Sequence, residues 1–241
     1  MKWSRPKEIP IGQVWSRFQG REMDGKPAEM YQIRDMEESH REQCLEMLLE
    51  SFLRDEPLSV TLKLNEDPEA VKSTRANWQN LMDQGMCLTC FTEVDGLPDK
   101  LVAVNILYVA SKEDEPYDLD KIKSESWRKL LKTLITAEGQ VDVYSRYGVD
   151  SYMSSSGLTV LSECRGQNIG ARMMAVRELM CKAMNIGATC TVFTAITSQV
   201  LAAKVGFELL AEMPYSDMLV HDIDLSGCTT ATAKVMGKKF L

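Results

Sequence analysis

Hydrophobic and polar positions along this chain switch repeatedly between a period of two and a period near 3.6, which predicts alternating strands and helices. The first clear strand pattern covers residues 31–35. Ahead of it lies a polar stretch, residues 1–29, in which 14–18 can pair with 30–33 across an Asp24-Gly25 turn. Leu45, Leu48, Leu49 and Phe52 then share one helical face. Ser39 and Glu42 stand before that face at the spacing of a capping box. Pro57 predicts the end of this helix, with residues 55–58 passing into loop. A second helix is predicted over 65–84, with Pro68 near its start and Gly85 just past its end. Strands follow at 87–94 and 101–110, joined by a turn at 95–100. The second is apolar almost throughout, as a central strand buried on both faces would be.

Residues 112–120 are charged and loop-like. Ile122, Trp127, Leu130, Leu131 and Leu134 predict a helix over 120–136, and a shorter one lies within 141–152, ending near Gly148. Residues 158–171, LTVLSECRGQNIGA, begin as a strand, pass through an arginine–glycine turn and enter a helix at Ile169. That helix carries Ile169, Met173, Val176, Met180, Ala183 and Met184 as one stripe and stops at Gly187. A strand at 188–195, a helix at 198–205 ending in Gly206-Phe207, and strands at 209–218 and 229–236 complete the order. This order is that of an α/β fold with a mixed sheet. No internal repeat or linker splits it, so residues 30–241 read as one domain behind an arm or hairpin at 1–29.

Composition narrows the function classes. The chain has 241 residues, 44% hydrophobic and 26% charged, enough for a full core. Its net charge of −7 and pI near 5.1 disfavour a nucleic-acid partner. It shows no apolar run long enough to span a membrane and no signal-like leader, so it reads as a cytoplasmic protein. Seven scattered cysteines read as reduced thiols. Cys87 and Cys90 have half the spacing of a zinc or redox motif, but lack the second pair. The two histidines, His40 and His221, lie near no nucleophile motif, which weakens a hydrolase reading, and no metal-ligand spacing emerges.

The stretch at 158–171 carries the most chemistry. A strand that breaks into a glycine turn and then a helix aims several backbone N–H groups at one point, where the helix dipole adds partial positive charge. That is an anion site. The dinucleotide fingerprint and the phosphate loop both fail here on spacing. Arg165, Gly166, Gln167, Asn168, Ile169, Gly170 and Ala171 instead resemble the acetyl-CoA loop of the GCN5-related N-acetyltransferases, Q/R-x-x-G-x-G/A. Asn168 replaces the middle glycine, and Asn is the residue that best tolerates left-handed backbone angles after glycine. Element order resembles that family over roughly 31–236. Residues 52–58, FLRDEPL, are similar to the F-F-x-D-E-P-L segment of the insect arylalkylamine N-acetyltransferases. Thr194 and Ser198 stand where those proteins have two serines four apart.

The resemblance implies a twisted mixed sheet flanked by helices and splayed at the acetyl-CoA site. It implies acetyl transfer from acetyl-CoA to a small amine by direct attack in a ternary complex. An alkylammonium must lose a proton before it attacks a thioester, and the resemblance gives that proton to Glu56, directly or through water. Thr194 and Ser198 would orient the amine or protonate the leaving thiolate. Backbone N–H groups along Leu158, Thr159, Val160 and Leu161 would polarise the thioester carbonyl, with pantetheine alongside as an extra edge. The other readings are a non-catalytic acyl-CoA-binding module of the same fold and helix capping by Thr194 and Ser198. Phe52, Tyr147, Tyr152 and the methionines line an aromatic pocket or fill the core. The expected assembly is a monomer or weak homodimer.

Overall fold

The computed structural model describes residues 3–23, 25 and 27–241. Its strands are β1 (Val14–Gln19), β2 (Met30–Asp35), β3 (Leu88–Val94), β4 (Leu97–Ser111), β5 (Ser151–Val160), β6 (Ala188–Phe193), β7 (Glu208–Pro214) and β8 (Thr232–Lys239). They form one sheet in the order β1-β2-β3-β4-β5-β6-β8-β7. Every neighbouring pair is antiparallel except β5–β6. The helices are α1 (Arg41–Met47), α2 (Leu53–Asp55), α3 (Pro57–Thr61), α4 (Pro68–Met82), α5 (Glu125–Glu138), α6 (Val143–Tyr147), α7 (Ile169–Ala183) and α8 (Ile196–Lys204). A π turn, Leu48–Phe52, joins α1 to α2.

Two hydrophobic layers sandwich the sheet. Leu45, Leu48, Trp78, Val104, Ile106, Trp127 and Leu131 pack on the face of α1, α4 and α5. Ile33, Leu88, Ala103, Leu107, Met153, Met173 and Met180 pack on the α7 face. The central strand β4 supplies both layers, which is why its sequence is apolar without alternation. Ala183 is exposed and so falls outside the stripe expected of α7, whereas Met184 is buried.

Several boundaries differ from the sequence expectations for identifiable reasons. The Ser39/Glu42 capping box is not made. A 3-10 turn, Glu38–His40, opens that helix, and the Glu42 carboxylate pairs instead with Arg75 of α4. Pro57 ends α2 but also starts α3, because proline at the first helical position loses no hydrogen bond there. α4 starts at Pro68, capped by Asp67, and α5 starts after Ser124, whose hydroxyl accepts from Trp127 N at 3.0 Å. The β3–β4 turn is only Asp95-Gly96, both with positive φ, as a tight hairpin requires. β7 stops at Pro214, which has no N–H to continue a ladder, and Tyr215–His221 forms a 3-10 helix instead of more strand. β1 pairs with β2 as an edge hairpin; Asp24, half of the expected turn, lies outside the described residues.

Candidate active site

The sheet opens between its two parallel strands. Among the described residues β5 and β6 are paired only at Met153↔Thr189. Past that point β5 stays with β4 and β6 stays with β8, so the two strands part company. A cavity of about 630 Å³ reaches this opening, lined by Ser155 to Val160 of β5, Thr191 to Phe193 of β6, and the α7 turn. Next to the opening, β5 carries a bulge against β4 between Asn105 and Leu107. Gly157 within it has φ +140°, an angle that residues with a side chain rarely adopt, and a Cβ there would only touch the Phe52 ring, at 3.5 Å.

The turn into α7 has the geometry of an anion site. Gly166 and Asn168 both take positive φ, +87° and +64°. Asn168 therefore supplies the left-handed angle that the sequence departure put in question. Its side chain caps nothing, and the first intrahelical bond runs from Arg172 N to Asn168 O at 3.1 Å. The N–H groups of Ile169, Gly170 and Ala171 thus precede the helical ladder. Leu158, Thr159, Val160, Arg165, Gly166, Asn168, Ile169, Gly170 and Ala171 all line the cavity.

Two expected loop contacts point elsewhere. Leu161 N donates to Val102 O at 2.9 Å, so that N–H is engaged within the sheet. Gln167 turns its amide away: Oε1 accepts from Arg21 N at 2.6 Å and Nε2 donates to Arg21 O at 3.2 Å. That pair staples the segment after β1 onto the loop and brings Arg21 to the cavity wall.

Glu56 sits at the α2–α3 junction, 8% exposed and on the cavity wall. Its Oε1 accepts from Leu58 N at 3.1 Å and from Thr194 Oγ1 at 2.7 Å. Its Oε2 accepts from Ser59 N at 2.6 Å and from Ser59 Oγ at 2.7 Å. The carboxylate is thus the N-cap of α3 and the partner of a hydroxyl that follows β6. Thr194 O in turn accepts from Tyr215 Oη at 3.2 Å. Ser198 lines the same cavity, but its hydroxyl donates to Ala195 O at 2.8 Å within the first turn of α8. The structure therefore brings Thr194 to Glu56 and leaves Ser198 on a local bond.

A further link ties this corner to the loop. Arg165 Nη2 meets Asp55 Oδ2 at 2.5 Å, and Asp55 is the residue before Glu56. The guanidinium of Arg54, and after it that of Arg165, holds the Asp55 carboxyl down at about 2. Behind the opening lies Arg177 of α7, which is buried. It donates from Nη1 to Thr191 Oγ1 and from Nη2 to Asn105 Oδ1, each at 3.1 Å. Asn105 Nδ2 donates to Ser155 Oγ at 2.8 Å and to Gly157 O at 2.7 Å, fixing the β5 bulge. Burial pushes Arg177 down to about 10, and its Nε has no partner among the described residues. The sequence signal for this network is an arginine interrupting the Met173–Val176–Met180 stripe.

Of the aromatic candidates, Phe52 lines the cavity, edge-on to Trp78. Tyr147 is buried and donates to Glu208 Oε1 at 3.0 Å, and Tyr152 packs on Tyr144, so both belong to the core side. The seven cysteines are free thiols, six of them buried. No helix among the described residues is long and apolar enough to cross a membrane.

The chain superposes over its whole length on a putative arylalkylamine N-acetyltransferase 7 from the yellow fever mosquito, Aedes aegypti. That match has a TM-score of 0.92 and 28% identity, covering 100% of both chains. The chain has the GCN5-related N-acetyltransferase fold. Arylalkylamine N-acetyltransferase 2 from the same mosquito matches with TM-score 0.77 and 18% identity, over 88% of this chain and 99% of that one. A Drosophila melanogaster polyamine N-acetyltransferase that forms N-acetylagmatine matches with TM-score 0.67 and 19% identity, over 87% and 99%. No family model matches the chain, and no curated protein matches it either. The likeness to the insect enzymes is therefore carried by structure. The match to arylalkylamine N-acetyltransferase 7 includes β1, which the sequence places in an N-terminal arm or hairpin.

Proposed function

We propose that this chain transfers the acetyl group of acetyl-CoA to the amino group of a small amine, with Glu56 as the general base. The observation that carries the reading is one cavity with an open helix N-terminus on one wall and the Glu56–Thr194 pair on another. The α7 turn, with Arg165 and Arg21, suits the pyrophosphate of coenzyme A by charge and by its unused N–H groups. The splay beside β5 suits an extended pantetheine arm. Acetyl-CoA supplies the activated acyl group. The solved relatives act on arylalkylamines and on a polyamine, which supports an amine acceptor.

The chain's own residues divide the work. Glu56 accepts the proton of the incoming ammonium, directly or through a water. Four donors fill the acceptor sites of its carboxylate. One of them must give way for proton transfer, and the Thr194 hydroxyl, which rotates, yields more readily than a backbone N–H. Thr194 is thus a positioning residue for Glu56. Ser198 and Thr194 face the cavity where an amine would be oriented, and the N–H groups along Leu158, Thr159 and Val160 would polarise the acyl carbonyl. Residues 30–241 act as one catalytic domain.

Thiol release from acetyl-CoA over an amine panel, with Glu56→Gln as the control, tests the proposal. Release that depends on the amine and collapses in Glu56→Gln is the expected result. The same four donors also satisfy Glu56 as a plain helix cap, which favours a non-catalytic acyl-CoA-binding module as the second reading. Calorimetric binding of coenzyme A without thiol release for any amine would establish that module and overturn transfer.

A further inference from the structure

A second carboxylate faces the same cavity, and nothing in the chemistry above uses it. Trp127, Leu130, Leu131, Leu134, Ile135 and Glu138 of α5 all line the wall, at the spacing of one helical stripe. Five of these positions are apolar, and the last is Glu138. It ends the helix, where backbone carbonyls already concentrate negative charge, a place that favours Lys, Arg or His. No basic residue stands in that last turn, and no donor or cation pairs with Glu138 among the described residues. The residue is exposed and lines the cavity, yet enough protein surrounds its carboxyl for desolvation to push it up to about 7.

A second, independent feature points the same way. Thr74 of α4 lines the same cavity and is 1% exposed, and its Oγ1 has no partner among the described residues. Trp78, one turn after Thr74 on α4, and Tyr108 and Tyr117, which lie close enough to feel the Glu138 charge, line the same cavity. The Tyr117 hydroxyl is already spent on Asn77 Oδ1 at 3.0 Å. The wall therefore offers a carboxyl without a counter-charge, an unused hydroxyl acceptor and ring faces, and a bound cation would hold that carboxyl ionised. A cation rich in N–H donors satisfies all three.

We propose that Glu138 and Thr74 form a subsite for a second positive charge, so that the preferred acceptor is an amine carrying a distal ammonium or guanidinium. The acetylated nitrogen lies at Glu56 and the distal cation at Glu138, with the carbon chain along the aromatic wall. This rests on the acetyl-transfer reading for the first nitrogen, but the distal subsite binds whether or not transfer occurs. Neutral hydroxyl donors, such as a phenol, would meet the hydroxyl acceptor and leave the carboxylate without a counter-charge.

The test compares α,ω-diamines of three to six carbons with n-alkylamines of equal length, and with tyramine, in wild type and in Glu138→Gln and Glu138→Lys. Wild type should favour the best diamine over its monoamine by about tenfold in kcat/KM, mostly through KM. That ratio should fall to near one in Glu138→Gln and below one in Glu138→Lys. Equal use of diamine and monoamine by wild type, or a ratio unmoved in both variants, overturns the subsite. A loss for tyramine as large as for the diamine assigns the carboxylate to a hydroxyl donor and also overturns it. Calorimetric titration of the coenzyme A complex with 1,5-diaminopentane and pentylamine separates the two claims. If no amine is acetylated, transfer fails, while tighter diamine binding that Glu138→Gln removes still upholds the subsite.

Discussion

Two carboxylates share one cavity and stand in opposite conditions. Glu56 is buried and accepts four hydrogen bonds, two of them from the backbone of the helix it caps. Glu138 is open to the cavity and has no partner among the described residues. The contrast separates two uses of one chemical group. A carboxylate held by many donors keeps a fixed position, which a base aimed at one nitrogen requires. A carboxyl left without donors or a counter-charge is held partly protonated in the ligand-free protein, and a cationic ligand would bring out its charge.

The largest test of the comparison is at the fixed carboxylate. Glu56→Gln should lower kcat/KM for every amine by roughly a hundred- to ten-thousand-fold, the usual span for loss of a general base. Coenzyme A affinity, read by calorimetry, should persist, because the loop contacts lie elsewhere. A Glu56→Gln enzyme with near wild-type turnover would reduce Glu56 to a helix cap.

The next effect falls on the link between the two walls. Arg165 is half-exposed and shared with Asp55. Arg165→Ala should weaken coenzyme A binding by about tenfold, as expected for loss of one charge-assisted contact. Asp55→Asn should do less, since it releases the arginine without removing it. Equal losses in the two variants would mean that the ion pair, not the guanidinium itself, shapes the loop.

Thr194 gives a smaller and more diagnostic change. Thr194→Val removes one donor from Glu56 and should lower kcat by about tenfold, with KM little changed. Thr194→Ser should restore the rate. Ser198→Ala should cost less, because its hydroxyl is engaged with Ala195 O.

What could be read from the chain alone follows the range of the interactions involved. The α7 turn was legible because its needs are local. A glycine and an asparagine at set positions give the backbone angles, and a following apolar stripe gives the helix. Glu56 was legible only through the resemblance of residues 52–58 to a known segment, since a glutamate before a proline is ordinary. Its contact with Thr194 joins positions 138 residues apart, and the Gln167–Arg21 staple joins positions 146 apart. No local pattern encodes either. Arg177 was visible as a break in an apolar stripe but pointed to no partner. Glu138 fell just outside the predicted helix at 120–136: the helix starts at the Ser124 cap and runs on through Glu138 to Gly139.

The smallest expected effect concerns stability, and it follows from Glu138 having no partner among the described residues. Folding raises this carboxyl from 4.5 to about 7 through desolvation. The ionisable groups whose charge it influences are Tyr108, Tyr117, Tyr144, Tyr152 and Cys190, all neutral near pH 7. Between pH 4.5 and about 7 the folded chain holds a proton here that the unfolded chain has lost. Stability from this group is therefore fully present below pH 4.5 and is lost as pH rises through about 7. Glu138→Gln cannot ionise, so it should match wild type near pH 4.5 and melt higher at pH 8. Solvent access limits the gain to about 3 °C or less. Adding 1,5-diaminopentane at pH 8 should narrow or reverse the difference, because the cation supplies the missing counter-charge only to the wild-type carboxylate. A variant that melts lower than wild type at pH 8 would mean that Glu138 is already satisfied in the free protein, and the contrast with Glu56 would disappear.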